Sequence, residues 1–233
     1  MALNQTHKII IGMAVAGIFT GLLVGIVKRL VPRSKRVDVP GFQKKTITRG
    51  IIMTIPKTNF KKHDIVYLWG GINYANPSWM LGQIPEKLLD SNIFAIIPYN
   101  ISMDEAKPLI DQYLGSIGLD DRIADESIMG FSAGGLQVQK SYSPEYKFVG
   151  LIDPSTRPSY TKTQYGKNTF LSYSISNWAG VFSSFNYKQV YPELEDAIEE
   201  SGGFAENTTR GHSSFPKYFM ERFANEINKP VKS

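Results

Sequence analysis

Cysteine is absent from the 233 residues, which excludes disulfide frameworks, thiolate zinc sites and cysteine nucleophiles, and leaves the redox compartment undecided. Histidine is almost as scarce: His7, His63 and His212 are the whole supply of imidazole for proton chemistry. Acidic side chains are nearly missing from the first fifty positions, which hold nine Lys or Arg against Asp38 alone; the remaining positions hold 17 basic residues against 20 acidic ones. The net charge of +5 is therefore a property of the N-terminal segment. A nucleic-acid-binding body spreads Lys and Arg over a folded face, and here the body is mildly acidic, so no nucleic-acid partner is expected. Neither of the glycine-rich phosphate-loop patterns, GxxxxGKS/T and GxGxxG, occurs. A chain of this length with 42% hydrophobic and 20% charged residues is neither disordered, collagenous nor a coiled coil, and it can bury one sizeable core but hardly two.

What is present begins with an uncharged run of 19 residues, Ile9 to Val27. As a helix it spans roughly 28 Å, close to the thickness of a bilayer's hydrocarbon. Lys28 and Arg29 follow directly, with Arg33, Lys35 and Arg36 beyond, and no small-residue cleavage pattern intervenes, so a single-pass anchor is favoured over a cleaved signal peptide or a buried helix. Lys8 alone precedes the run, and the positive-inside bias places the C-terminal body on the cytoplasmic side. The basic cluster suits anionic head groups, which makes the lipid membrane an expected partner. Gly17, Gly21 and Gly25 share one helical face and allow homo-oligomer formation through the anchor. The expected organisation is an anchor over residues 1–31, a basic linker over 32–45 and one folded domain over 46–233.

The body alternates short apolar runs with helical patterns. An N-terminal strand or hairpin is expected around Thr46 to Ile55, and apolar runs follow at Asp64–Trp69, Ile93–Pro98, Ser127–Phe131, Phe148–Ile152 and Thr169–Ser174. Helices are expected over Trp79–Ser91, Met103–Ser116, Ala133–Ser141, Pro192–Glu200 and Pro216–Asn228. This alternation predicts an α/β fold of three layers, a mostly parallel sheet covered on both faces. In such sheets ligands sit at the carboxyl ends of the strands.

One of those strand ends carries Gly130-Phe131-Ser132-Ala133-Gly134, a GxSxG pentapeptide between a strand and a helix. The turn must be sharp enough to lift the Ser132 hydroxyl above the sheet, and glycines at its ends relieve the crowding. With this element as its most specific feature, the sequence resembles the α/β-hydrolase superfamily over roughly residues 46 to 229. The resemblance implies a Ser–acid–His triad in that chain order, with Ser132 as nucleophile.

Of the three histidines, His7 lies before the apolar run and His63 at the wrong end of its strand. His212, in a loop before the last helix, occupies the place where the resemblance implies the general base. For the acid, Asp153 stands at the carboxyl end of the strand after the serine-bearing turn, where some members of the superfamily carry it. Many others carry it after the next strand, where this chain offers Asn177 and no carboxylate; Asp153 is favoured and Asn177 is the alternative. The developing oxyanion needs donors: the backbone N–H of Ala133, and that of Gly71 in Trp69-Gly70-Gly71, with Ile72 as the one-residue alternative. Trp69 stands where the superfamily's His-Gly-Gly type of segment has histidine.

Aromatic residues crowd the stretch between Asp153 and His212, Tyr160, Tyr165, Phe182, Phe185 and Tyr191 among them; they suit either an apolar acyl pocket with a lid or plain packing. Asp120, Asp121, Asp125 and Glu126 lack calcium-loop spacing and read as a solvated acidic loop, so neither metal nor cofactor is expected. The expected function is a membrane-anchored serine hydrolase acting on carboxylic esters, lipid or small-molecule, through an acyl-enzyme. The competing expectation is a non-catalytic membrane-anchored structural protein, such as an envelope component, that retains the hydrolase fold.

Overall fold

The computed structural model describes residues 42–57, 62–72, 76–178 and 187–229, with backbone only at 177–178 and 187–188. The Ile9–Val27 run lies outside these residues, as do Phe182 and Phe185; among the described residues no helix is long and apolar enough to cross a membrane.

Eight strands form one sheet in the order β1-β2-β4-β3-β5-β6-β7-β8. β1 (Phe42–Thr46) and β2 (Ile52–Pro56) make an antiparallel hairpin, and β2 runs antiparallel to β4 (Asn92–Ile97). β1 thus occupies a stretch that sequence assigns to the linker. From β4 onward, through β3 (His63–Trp69), β5 (Ile123–Phe131), β6 (Phe148–Ile152), β7 (Thr169–Tyr173) and β8 (Phe204–Asn207), every pairing is parallel. The carboxyl ends of six strands therefore share one edge.

The two-residue period of β3 divides the core. Ile65, Tyr67 and Trp69 face the layer formed by α3 (Met103–Ser116), α4 (Gly134–Lys140) and α6 (Tyr187–Glu200), together with Leu194 and Ile198. Val66 and Leu68 face α1 (Pro77–Leu81), α2 (Glu86–Leu89), α7 (Phe215–Arg222) and α8 (Ala224–Asn228), where Phe215, Phe219 and Ile227 are buried. Strands whose side chains are buried on both faces are what a three-layer α/β sheet requires.

Local chemistry sets the helix limits. α3 starts at a capping box: the Ser102 hydroxyl accepts from the Glu105 N–H and the Glu105 carboxylate accepts from the Ser102 N–H. Arg49 adds an ion pair to Glu105, and these bonds lower the Glu105 pKa to about 2. The single helix expected over Trp79–Ser91 is two, because Gly82 ends α1 and Pro85, which lacks an N–H, precedes α2. α7 and α8 are likewise separated at Phe223.

The expected acidic loop is corrected in part. Asp120 and Asp121 do sit in an exposed 3-10 turn, but Asp125 and Glu126 belong to β5. Glu126 accepts from Lys107 at 2.6 Å and from the Tyr67 hydroxyl at 3.2 Å. Burial and the Glu126 charge push the Tyr67 hydroxyl pKa upward. A carboxylate with two such donors is at home in a strand.

Candidate active site

Ser132 follows β5 with φ +54°, a left-handed conformation that costs a non-glycine residue about 1–3 kcal/mol. The surrounding contacts hold it there. Its N–H donates to the Ile152 carbonyl at 3.0 Å, and its carbonyl accepts from Gly135 at 2.9 Å and Ser155 at 2.7 Å. The turn folds so tightly that a Cβ on Gly130 would lie 2.3 Å from the Gly134 carbonyl oxygen. The same closeness serves the neighbouring strand end: Gly135 leaves space for Pro154, whose Cβ would meet an alanine Cβ there at 2.3 Å. The residue before that proline is Asp153.

Asp153 follows β6, is fully buried and also has positive φ, +39°. Its N–H donates to the Ser172 carbonyl at 2.7 Å, and its Oδ1 accepts from the Ser174 N–H at 3.0 Å. Oδ2 lies 2.5 Å from His212 Nδ1. An ionised carboxylate here accepts the Nδ1 proton, which leaves Nε2 as the basic nitrogen of a neutral imidazole. Gln139 braces the segment from beneath, donating to the Gly135 and Ser155 carbonyls at 2.9 Å each and accepting from the Thr156 hydroxyl at 2.6 Å.

His212 opens a 3-10 turn just ahead of α7, and its ring packs on Phe131 with centroids 4.5 Å apart. Phe131 is the residue directly before Ser132, so the imidazole stands at the serine-bearing turn. His63, by contrast, starts β3 opposite Ile123, the first residue of β5, at the far end of the sheet.

Gly71 completes the cluster. A Cβ on it would lie 2.8 Å from the Ser132 Cβ and 3.2 Å from Oγ, so the backbone of residue 71 passes directly beside the hydroxyl. Ile72, the alternative donor, has an exposed side chain. Trp69 is buried and donates its indole N–H to the Ile101 carbonyl at 2.9 Å; its carbonyl and Cβ press against Gly134. The chain therefore anchors this loop with an indole.

The structure thus brings Ser132, Asp153, His212, Gly71 and Ala133 to one strand-end edge. Asn177 lies in a short helix, α5 (Ile175–Trp178), just past β7, and its side chain is outside the described residues. Of the aromatic residues between Asp153 and His212, Tyr165, Tyr173 and Tyr191 are buried core, and Tyr191 donates to the Pro154 carbonyl at 2.5 Å. Their part is packing rather than a lid.

Solved structures share this arrangement of strands and helices. A CIB-like hydrolase of Thermoplasma acidophilum matches with TM-score 0.52 at 15% identity, over 81% of this chain and 99% of its own. The siderophore hydrolase EstB of Aspergillus nidulans matches with TM-score 0.52 at 11% identity, over 86% and 100%. The esterase rPPE matches with TM-score 0.53 at 10% identity, over 90% and 89%. The fold is that of the α/β-hydrolases. No protein-family model matches the chain, and no curated protein matches it.

Within the α/β-hydrolase fold, β8 is the element that sequence reasoning passed over. It is four residues long, Phe-Ala-Glu-Asn, at the sheet edge with half-polar composition, so it shows neither an apolar run nor a clear alternation. Yet it delivers the loop that carries His212. Glu206 on that strand was equally silent in the sequence.

Proposed function

We propose that the chain is a membrane-anchored serine hydrolase that cleaves carboxylic esters through an acyl-enzyme on Ser132. The observation that carries this reading is the Asp153–His212 hydrogen bond, formed on the strand-end edge where Ser132 is held in a left-handed turn.

In this reading the Ser132 oxygen attacks the ester carbonyl as His212 Nε2 takes its proton. The buried Asp153 carboxylate keeps the imidazole in the required tautomer and stabilises the imidazolium. Negative charge gathers on the former carbonyl oxygen, and the N–H groups of Ala133, at the start of α4, and Gly71, beside the hydroxyl, donate to it. Collapse of the tetrahedral intermediate breaks the C–O bond, and His212 returns the proton to the departing alcohol. A water molecule, deprotonated by His212, then releases the acid and restores Ser132.

The Ile9–Val27 run would tether this body to a membrane on the cytoplasmic side, which favours esters that partition into or lie against a bilayer. Purified full-length protein in detergent should hydrolyse p-nitrophenyl esters of short to medium chains, and Ser132→Ala should abolish turnover while the folded content is retained. Turnover that persists in Ser132→Ala, or none in the wild type, overturns the reading. Protease treatment of sealed vesicles should digest residues 51 to 233 only when the cytoplasmic face is outward.

A further inference from the structure

The segment bearing His212 is fastened at both of its ends to one carboxylate. β8 pairs with β7 so that Glu206 stands opposite Ser172. Glu206 Oε1 accepts from the Ser172 hydroxyl at 2.6 Å and from the Tyr218 hydroxyl at 3.0 Å. Arg222 Nε lies 3.8 Å from its other oxygen. Tyr218 and Arg222 are on α7, which begins three residues after His212, whereas Glu206 precedes the loop. The eleven residues between Glu206 and Tyr218 are thus closed into a loop by a side-chain hydrogen bond. Arg210, inside that loop, stacks on the Tyr218 ring at 3.8 Å.

The same carboxylate reaches the other half of the pair. Ser172, buried in β7, receives the Asp153 N–H on its carbonyl and gives its hydroxyl to Glu206. The Thr208 N–H also donates to the Tyr173 carbonyl at 2.8 Å. Glu206 is therefore joined to the strand that holds Asp153 and to the helix that follows His212. Its side chain is only 18% exposed although it lies on an edge strand. Such a carboxylate is retained at a cost unless its oxygens are filled, and here they are filled by groups on both flanks of the histidine.

We infer that Glu206 is a positioning residue for His212: it fixes the imidazole against Asp153 by clamping the strand before the loop to the helix after it, without touching substrate. The inference rests on the reading of Ser132 as nucleophile and His212 as base, and its test separates the two.

The variants Glu206→Ala, Glu206→Gln, Tyr218→Phe and the double variant Glu206→Ala/Tyr218→Phe are compared in the full-length protein. Misplacing a catalytic group by about an ångström costs up to about a hundredfold in rate. Glu206→Ala should accordingly lower kcat and the rate of fluorophosphonate labelling by about tenfold or more, with KM changed less than about twofold. Glu206→Gln, whose amide oxygen accepts the same two hydroxyls, should recover most of the rate. The double variant should be no slower than Glu206→Ala, because both changes open the same clamp. Wild-type kcat in Glu206→Ala, or equal losses in the Gln and Ala variants, overturns the inference. The His212 Nδ1–H resonance, followed by NMR, reports on the clamp without turnover: it should broaden through solvent exchange in Glu206→Ala and persist in Glu206→Gln. If the wild type proves inert, the chemical reading fails; an Nδ1–H signal unchanged in Glu206→Ala then overturns the clamp as well, and selective broadening sustains it.

Discussion

Asp153 and His212 are 59 residues apart in sequence and 2.5 Å apart in space. Asp153 is held for this contact by the Ser172 carbonyl, which accepts its N–H, by the Ser174 N–H, which donates to its Oδ1, and by a positive φ, so the carboxylate is oriented before any substrate arrives. Preorganisation of this kind is what makes a buried acid useful to an imidazole.

The first consequence concerns that carboxylate. Asp153→Asn keeps the size and the acceptor for the Ser174 N–H but turns an amide N–H toward Nδ1. The imidazole then carries its proton on Nε2, where it cannot accept one from Ser132. Ester turnover should fall on the order of 10⁴-fold, with thermal stability close to wild type. Asn177→Ala should leave turnover within about threefold of wild type, far short of the loss on removing the acid. The reverse ranking in steady-state assays would move the acid's role to residue 177.

The crowded glycines separate activity from folding. An alanine Cβ at position 71 would meet the Ser132 Cβ at 2.8 Å, so one of the two must move, and Ile72 beside it is exposed. Gly71→Ala should therefore cost about 10²-fold or more in kcat, as loss of an oxyanion donor does, with little change in melting temperature. Gly135→Ala places its Cβ 2.3 Å from Pro154 in buried surroundings, and overpacking there should cost about 1–3 kcal/mol along with activity. Differential scanning calorimetry of the two variants checks the contrast.

A pH-dependence follows from His63, far from Ser132. Burial, reinforced by Arg122 and opposed by Asp64, lowers its pKa in the folded protein. The unfolded chain titrates near the ordinary value of about 6.5, so below that pH the unfolded state binds the extra proton. The stability that His63 permits at pH 8 should decline as the pH falls from about 6.5 toward the depressed folded value. Urea midpoints measured at pH 8, 6.5 and 5 should decrease in that order, and His63→Gln should show a shallower decrease between 6.5 and 5. An equal slope in the variant would assign the effect to other groups.

Much of this was legible in the sequence because it was written in short-range patterns. Phe148–Ile152 is purely apolar and Met103–Ser116 carries its cap in Ser102 and Glu105; both elements have the limits that their residues suggest. Ser132 announces itself through the glycines around it, and Asp153 through its place after a strand. What stayed hidden depends on contacts distant in sequence. Glu126 reads as loop until Lys107 and Tyr67 are seen to satisfy it. Phe204–Asn207 is a strand because β7 offers an open edge, and Glu206 has meaning only through Ser172 and Tyr218. The break between α1 and α2 was written in Gly82 and Pro85, but the apolar periodicity running across them outweighed that signal.

The reactivity of a single hydroxyl tests the account most directly. Full-length protein treated with a fluorophosphonate and digested with trypsin should yield one modified peptide, residues 123–140, with fragmentation placing the adduct on Ser132 and not on the buried Ser127. The adduct should vanish in Ser132→Ala and form far more slowly in Asp153→Asn. An unmodified wild-type protein, or an adduct on any other residue, would contradict the account.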